Sequence, residues 1–200
     1  MTGVHDVVIL GGGLAGLTLA LQLRKRFDDL DIVVVERRAH PVPPAAHKVG
    51  ESTVEIGAHY FADTLGLREH LDAEQIRKFG FRFFFCEGRS DLENVTELGV
   101  RRVMPTPTWQ IDRGVFENFL GDEVKRRGID FRDGTVVRGF DIASNDGLHG
   151  VRIERDGVIE TLHARWLVDA SGRAGLIKRK LDLAQANGHD ANAIWFRLDE

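Results

Sequence analysis

The chain begins with a short apolar run, Val7 to Leu10, that ends at once in three glycines. An unbroken run of that length meeting a tight turn predicts a buried parallel strand. From Leu14 to Phe27 the period becomes helical: Leu14, Leu17, Ala20 and Leu21 share a face. Arg24, Lys25 and Arg26 crowd the last turn, where the helix dipole favours cations. Asp31 to Glu36 reads as a second strand, with β-branched Ile32 to Val35 at its centre. Together these predict a βαβ unit over residues 5–38.

Ala39 to Ala46, with Pro41, Pro43 and Pro44, reads as a loop. After it, Ser52 and Glu55 fit a capping box with Ser52 as N-cap of a helix running to Leu65. Phe79 to Cys86 alternates, with Phe79, Phe81, Phe83 and Phe85 on one face and Gly80, Arg82 and Phe84 on the other, which predicts a strand whose rings lie first of all in the core, with a substrate pocket as the alternative place for some of them. Thr108 to Ile111 predicts another strand, and Arg113 to Arg127 a helix. Thr135–Phe140, Leu148–Arg155, Val158–His163 and Trp166–Asp169 then read as strands, with Asn145-Asp146-Gly147 and Asp156-Gly157 as hairpin turns between them. A βαβ start, a mixed insert and a returning meander make an α/β fold with an inserted second layer.

Composition narrows the partners. Of the 200 residues 42% are apolar, enough to build a core, and a net charge of −4 argues against general affinity for nucleic acid or an anionic membrane. Cys86 is the one cysteine, so no internal disulfide forms, which fits a reducing cytoplasm. The first residues show no basic-then-apolar leader, and no apolar run approaches a membrane span. The eight histidines show no metal-binding spacing.

The glycines carry the first chemistry. Gly11-Gly12-Gly13-Leu14-Ala15-Gly16 satisfies Gly-x-Gly-x-x-Gly. Gly11 makes the turn, Gly13 lets backbone approach a pyrophosphate, and Gly16 lets helix pack on strand. The N–H groups of the helix start, at Leu14 and Ala15, face phosphate charge. Glu36, followed by Arg37, ends the second strand, where a carboxylate holds ribose hydroxyls. An acid there disfavours a 2′-phosphate and suits NAD and FAD equally.

Later motifs separate those two cofactors. Trp109-Gln110-Ile111-Asp112-Arg113-Gly114-Val115-Phe116 and Trp166-Leu167-Val168-Asp169-Ala170-Ser171-Gly172-Arg173 resemble two segments of the p-hydroxybenzoate-hydroxylase type of FAD-dependent oxidoreductase. The resemblance implies FAD as cofactor, with Gln110 and Arg113 touching it. Val136 and Val137 would flank its adenine end, Asp169 would contact the cofactor, and Gly172 would approach the flavin. The residues alone leave a second reading for Arg113, an ion pair with Asp112 or Glu117 at a solvated helix start.

Lys48-Val49-Gly50-Glu51-Ser52-Thr53 resembles the Gly-Glu-Ser/Ala-Thr segment of the flavin-dependent halogenases. The resemblance sets Gly50, Ser52 and Thr53 near the flavin ring. The other reading is a capping box that only ends the loop. The same family carries a lysine before a strand, and Lys78-Phe79-Gly80-Phe81-Arg82-Phe83 sits at a matching place. Lys78 would receive hypohalous acid as a hydrogen-bond donor or a chloramine, and apolar surroundings would lower its pKa. The alternative is an exposed lysine beside Arg77.

The resemblance implies a Rossmann-like FAD-binding domain of glutathione-reductase type with an inserted, incomplete antiparallel β substrate layer. That layer would begin at residues 78–112 and 190–200, where Ala193 to Leu198 reads as a strand. It implies an enzyme that uses a C4a-hydroperoxide and hypohalous acid to halogenate a small or carrier-bound aromatic. Halide and a separate flavin reductase would be its partners. A monooxygenase or reductase of the same fold and an inactive truncated remnant are the alternatives. The family's Gly-Asp-Ala and Trp-x-Trp-x-Ile-Pro segments do not occur in these 200 residues. The sequence therefore reads as an N-terminal portion, and alone it is expected to retain little FAD and to show no turnover.

Overall fold

A computed structural model describes residues 3–44, 51–189 and 194, apart from the side chain of Leu92. In chain order the elements are β1 (Val4–Leu10), α1 (Leu14–Arg26), β2 (Ile32–Val35), α2 (Glu55–His59), α3 (Arg68–Glu74), β3 (Ile76–Lys78), β4 (Arg82–Phe85) and β5 (Thr96–Gly99). There follow β6 (Thr108–Gln110), α4 (Arg113–Arg126), β7 (Asp130–Arg132), β8 (Val136–Asp141), β9 (His149–Arg155), β10 (Val158–Asp169) and α5 (Leu176–Lys180). They divide into two units, residues 1–49 with 113–200, and residues 50–112.

The first unit is a six-stranded sheet of order β7-β2-β1-β10-β9-β8. The β7, β2, β1 and β10 pairings are parallel, and β8 and β9 extend the sheet antiparallel. Its central strands are sealed on both faces, which is why Val7 to Leu10 and Ile32 to Val35 are unbroken apolar runs. Val8, Leu10, Val33 and Val35 form one core with Val151, Ile153, Leu162 and Ala164, under Leu176 and Ile177 of α5. The pleat turns Val7, Ile9, Ile32 and Val34 to the opposite face. There α1 and α4 pack on each other through the buried Leu17, Ala20, Leu21, Phe116, Leu120 and Val124.

Two strand expectations change. Val158–His163 and Trp166–Asp169 are one twelve-residue strand. Its first part pairs with β9 and its second with β1, and the two registers overlap at His163 and Ala164, so no break is needed. β7 was absent from the sequence pattern, and its parallel pairing with β2 makes it a strand. The Asp156-Gly157 turn is as expected, with φ of 51° and 78° joining Arg155 to Val158.

In the second unit, α2 runs into a π turn at Tyr60–Thr64, then α3, and β3 pairs antiparallel with β6. Ala58, Phe61, Ala62, Leu65, Leu67, Leu71, Trp109 and Ile111 are its buried apolar residues. The expected Ser52 cap is not formed: Val54 stands at the N-cap of α2, and no side chain caps it. The Ser52 oxygen is engaged by Lys78 instead. The expected Phe79–Cys86 core strand is also revised. Gly80, at φ 137°, breaks the run, and β4 pairs with β5 alone as a two-stranded ribbon. Phe81, Phe83 and Phe85 are about half exposed, because no second layer covers them among the described residues. Ala193 and residues 195–198 lie outside the described residues.

Candidate functional site

The β1–α1 turn closes against two other pieces of chain. Gly11 takes φ 114°, and a Cβ there would lie 2.4 Å from the Ala170 carbonyl oxygen, so only glycine fits. A Cβ on Gly16 would stand 1.9 Å from the Gly11 carbonyl oxygen, where α1 passes under the turn. Gly13 differs. Its φ of −86° suits any residue, and a Cβ there would meet no protein atom nearer than 3.9 Å. The chain's own packing does not require glycine at that position, and the space beside its backbone is open to a ligand.

Around this turn lies a cavity of about 760 Å³. Gly11, Gly13, Leu14, Ala15, Glu36, Arg37, Arg113 and Gly172, all singled out in the sequence, line it; Gly12 lines it too, and Gly16 does not. The α1 N-terminus carries no side-chain cap, so its first N–H groups stay available to an anion. Glu36 fastens the floor, its Oε2 accepting from Gly12 N at 2.8 Å and its Oε1 from Arg38 N at 2.9 Å. Each oxygen keeps a further lone pair for a hydroxyl.

Of the two partners the sequence offered Arg113, Glu117 is the one it pairs with, in a largely buried rather than solvated setting. Arg113 faces the cavity, and Glu117 Oε1 accepts from its Nη2 at 2.5 Å and from its Nε at 3.1 Å. Glu117 is almost fully buried, so the pair is screened little by water. Gly114 admits the proline loop, since a Cβ there would lie 2.0 Å from the Pro44 carbonyl oxygen.

Sequence reasoning passed over Arg38, His40, Val42, Glu117, Ser171 and Arg173 as lining residues. Arg38 and Arg173 adjoin predicted residues, and Glu117 is one helical turn from Arg113, so neighbourhood was the available signal. Burial holds the His40 imidazole below its usual pKa.

Asp169 and Val137 are not among the cavity's lining residues. Asp169 ties the loop instead, accepting from Ser171 N at 3.1 Å, from the Ser171 hydroxyl at 2.5 Å and from Ile177 N at 2.8 Å. Burial pushes its carboxyl up, but these hydrogen bonds outweigh burial and leave it below the ordinary carboxylate range. Val137 packs against the sheet core.

Ser52, Thr53, Lys78 and Gln110 form a second cluster, inside residues 50–112. Lys78 Nζ donates to Ser52 Oγ at 2.9 Å and to the Thr53 carbonyl, and lies 4.2 Å from the Phe81 ring centre. Burial lowers its pKa from the usual lysine value, and Glu55 opposes that shift. Ser52 bridges Gln110 through the backbone. Gly50 lies outside the described residues. Among the described residues no cluster of His, Cys, Asp and Glu could hold a metal, and no helix is long and apolar enough to cross a membrane.

The model of the FAD binding domain family matches residues 4–199. The chain belongs to that family. This FAD-binding domain is 28% identical over 220 residues to the flavin-dependent halogenase chlA of Dictyostelium discoideum, covering 97% of this chain and 36% of that protein. It is also 28% identical over 196 residues to aklavinone 12-hydroxylase DnrF of Streptomyces peucetius, covering 92% and 38%. Among solved structures, the flavin-dependent halogenase CmlS superposes with a TM-score of 0.72 at 26% identity, over 91% of this chain and 32% of that one. The chain thus spans well under half the length of these relatives.

The cofactor is FAD, and the cavity fits its ADP half. The open space at Gly13, the uncapped α1 N-terminus and Arg113 suit a pyrophosphate, and Glu36 suits ribose hydroxyls.

Proposed function

We propose that the protein is an FAD-dependent halogenase of an electron-rich aromatic, free or carrier-bound, that draws reduced FAD from a separate flavin reductase. The observation that carries the reading is the Lys78 amine meeting Ser52 and Thr53, which joins the two halogenase-like segments of the sequence. FAD, when bound and reduced, supplies the oxygen chemistry that converts halide to hypohalous acid.

The chain's residues do the rest. The glycine turn, the Leu14 and Ala15 N–H groups and Arg113 hold the pyrophosphate, and Glu36 accepts from ribose hydroxyls. Lys78 donates a hydrogen bond to the oxygen of hypohalous acid and aims its halogen at the aromatic carbon. The ring gives up a proton, a carbon–halogen bond replaces carbon–hydrogen, and water leaves. Burial that disfavours the charged amine strengthens Lys78 as a hydrogen-bond donor acid.

In the whole polypeptide its gene encodes, Lys78→Ala lowers halogenated product by about a hundredfold or more while peroxide is still formed. Unchanged product overturns the reading. A second reading, an aromatic hydroxylase, is favoured by the hydroxylase relative at the same 28% identity. Hydroxylated product formed without halide would establish it. For the cofactor site, FAD binds more tightly than FMN, and Glu36→Ala weakens FAD by about 1–3 kcal/mol. Equal affinity for the two flavins, measured by titration, overturns the ADP assignment.

A further inference from the structure

One strand organises the surroundings of Lys78. Along one edge of β6, Lys78 pairs with Thr108. Along the opposite edge, Ile111 N donates to Glu51 O at 2.7 Å and Thr53 N donates to Trp109 O at 3.0 Å. The Thr53 hydroxyl adds a donation to Trp109 O at 2.7 Å and accepts from Trp109 N at 2.9 Å. Backbone bonds alone therefore fix segment 51–53 to β6, and the Thr53 hydroxyl reinforces them.

Lys78 Nζ then meets Ser52 Oγ, the Thr53 carbonyl and the face of Phe81. The two oxygens differ. A carbonyl only accepts, so it loses part of its partner when an ammonium becomes an amine. A hydroxyl accepts from the ammonium and donates to the amine lone pair, so it holds the nitrogen in either state.

We propose that Ser52 is the positioning residue of Lys78, its hydroxyl setting the direction in which the amine presents its remaining N–H. The effect on turnover rests on the halogenase reading, whereas the effect on the amine does not. The charged neighbours are Glu55 on α2 and Arg77 on β3. Arg77 faces Asp72 at 3.8 Å and stacks over Trp109 at 5.5 Å, turned to a different partner from Lys78.

Ser52→Ala and Ser52→Thr separate orientation from simple stability. Competitive acetylation with acetic anhydride across a pH series, read lysine by lysine by peptide mass spectrometry, follows the amine itself. Both forms lose a hydrogen bond without the serine, but the charge-assisted bond to the ammonium is the stronger, so Lys78 acetylates about threefold to tenfold faster at neutral pH. Lys25, Lys125 and Lys180 keep their rates, and Ser52→Thr restores that of Lys78.

In the whole polypeptide, with reduced FAD, oxygen, bromide and a phenol, the ratio of brominated product to hydrogen peroxide falls about tenfold in Ser52→Ala and recovers in Ser52→Thr. A more reactive amine giving less product is the signature of lost orientation. An unchanged Lys78 profile overturns the proposal, as does a rise shared by the other lysines or a Ser52→Thr protein that behaves like Ser52→Ala. If acetylation shifts while Ser52→Ala and Lys78→Ala both keep wild-type product, the positioning stands and the halogenase reading falls.

Discussion

The glycine-turn cavity and the Lys78 cluster are both polar sites, and they are built in opposite ways. The first hangs from strands sealed on both faces, with Val8, Ile9, Leu10, Val33 and Val34 wholly buried. Its glycine turn is a single short stretch held by backbone geometry, against which Glu36, Arg113 and the loop at Gly172 close. The second rests on three-residue strands beside a ribbon whose phenylalanines stand about half exposed. Its geometry depends on hydrogen bonds between residues far apart in sequence, such as Thr53 and Trp109. A site of the first kind fails by steric collision; one of the second kind fails by loss of single polar contacts.

The sharpest break should come at the glycines. Gly16→Ala forces a methyl group onto the Gly11 carbonyl oxygen and destabilises the protein by about 3–5 kcal/mol, seen as a large fall in Tm. Gly13→Ala separates ligand from fold: Tm stays within an equivalent of about 0.5 kcal/mol, while FAD affinity falls by about tenfold or more. If Gly13→Ala unfolds the chain or leaves FAD binding intact, the open space at that position has been misread.

Next in size, Thr53→Val keeps the shape and removes both hydroxyl bonds to Trp109, at a cost of about 1–3 kcal/mol in chemical denaturation.

Smaller again is a pH effect in the nucleotide unit. Hydrogen bonds from Arg126, then Arg127, hold the Glu123 carboxyl at about 2. Its folded pKa lies below the unfolded value near 4.5, so its stabilisation is present above that value and is lost as pH falls toward about 2. Screening at the exposed Arg126 limits the loss to about 1 kcal/mol. Glu123→Gln should therefore flatten the acid limb of a Tm-against-pH curve, and an identical limb counts against the pairing.

Least of all, Phe83→Ser on the exposed ribbon changes stability by about 0.5 kcal/mol or less and reduces self-association on a sizing column. A loss as large as that for a buried ring would show that Phe83 is covered after all.

The same contrast explains what the sequence made legible. Gly11 to Gly16 and Glu36 could be found because local period and turn chemistry act on neighbours, whereas Arg113 came only from the family resemblance of residues 109–116. Asp130–Arg132 escaped notice because three residues flanked by charge carry no strand signal of their own, and β2 supplies it. Alternation placed Phe81, Phe83 and Phe85 together correctly but says nothing about whether another layer covers that face. Ser52 fitted a cap because a hydroxyl before a glutamate satisfies that pattern. Only the fold shows that the oxygen is taken by Lys78, which no local rule pairs with it.

The long strand β10 has a consequence for how the molecule is made. Val7 in β1 pairs with Trp166, so the chain between them must leave the ribosome before β1 gains its second neighbour. At about 5–20 residues synthesised per second that interval is roughly 8–30 s. For all of it an apolar strand carries an open edge, a hazard for pairing with other nascent chains. The loop bearing Gly172 follows β10 directly, and Asp169 anchors it. The nucleotide pocket, begun by the first residues, is therefore completed only by a late-translated loop, and FAD can reward only a sheet that has already formed.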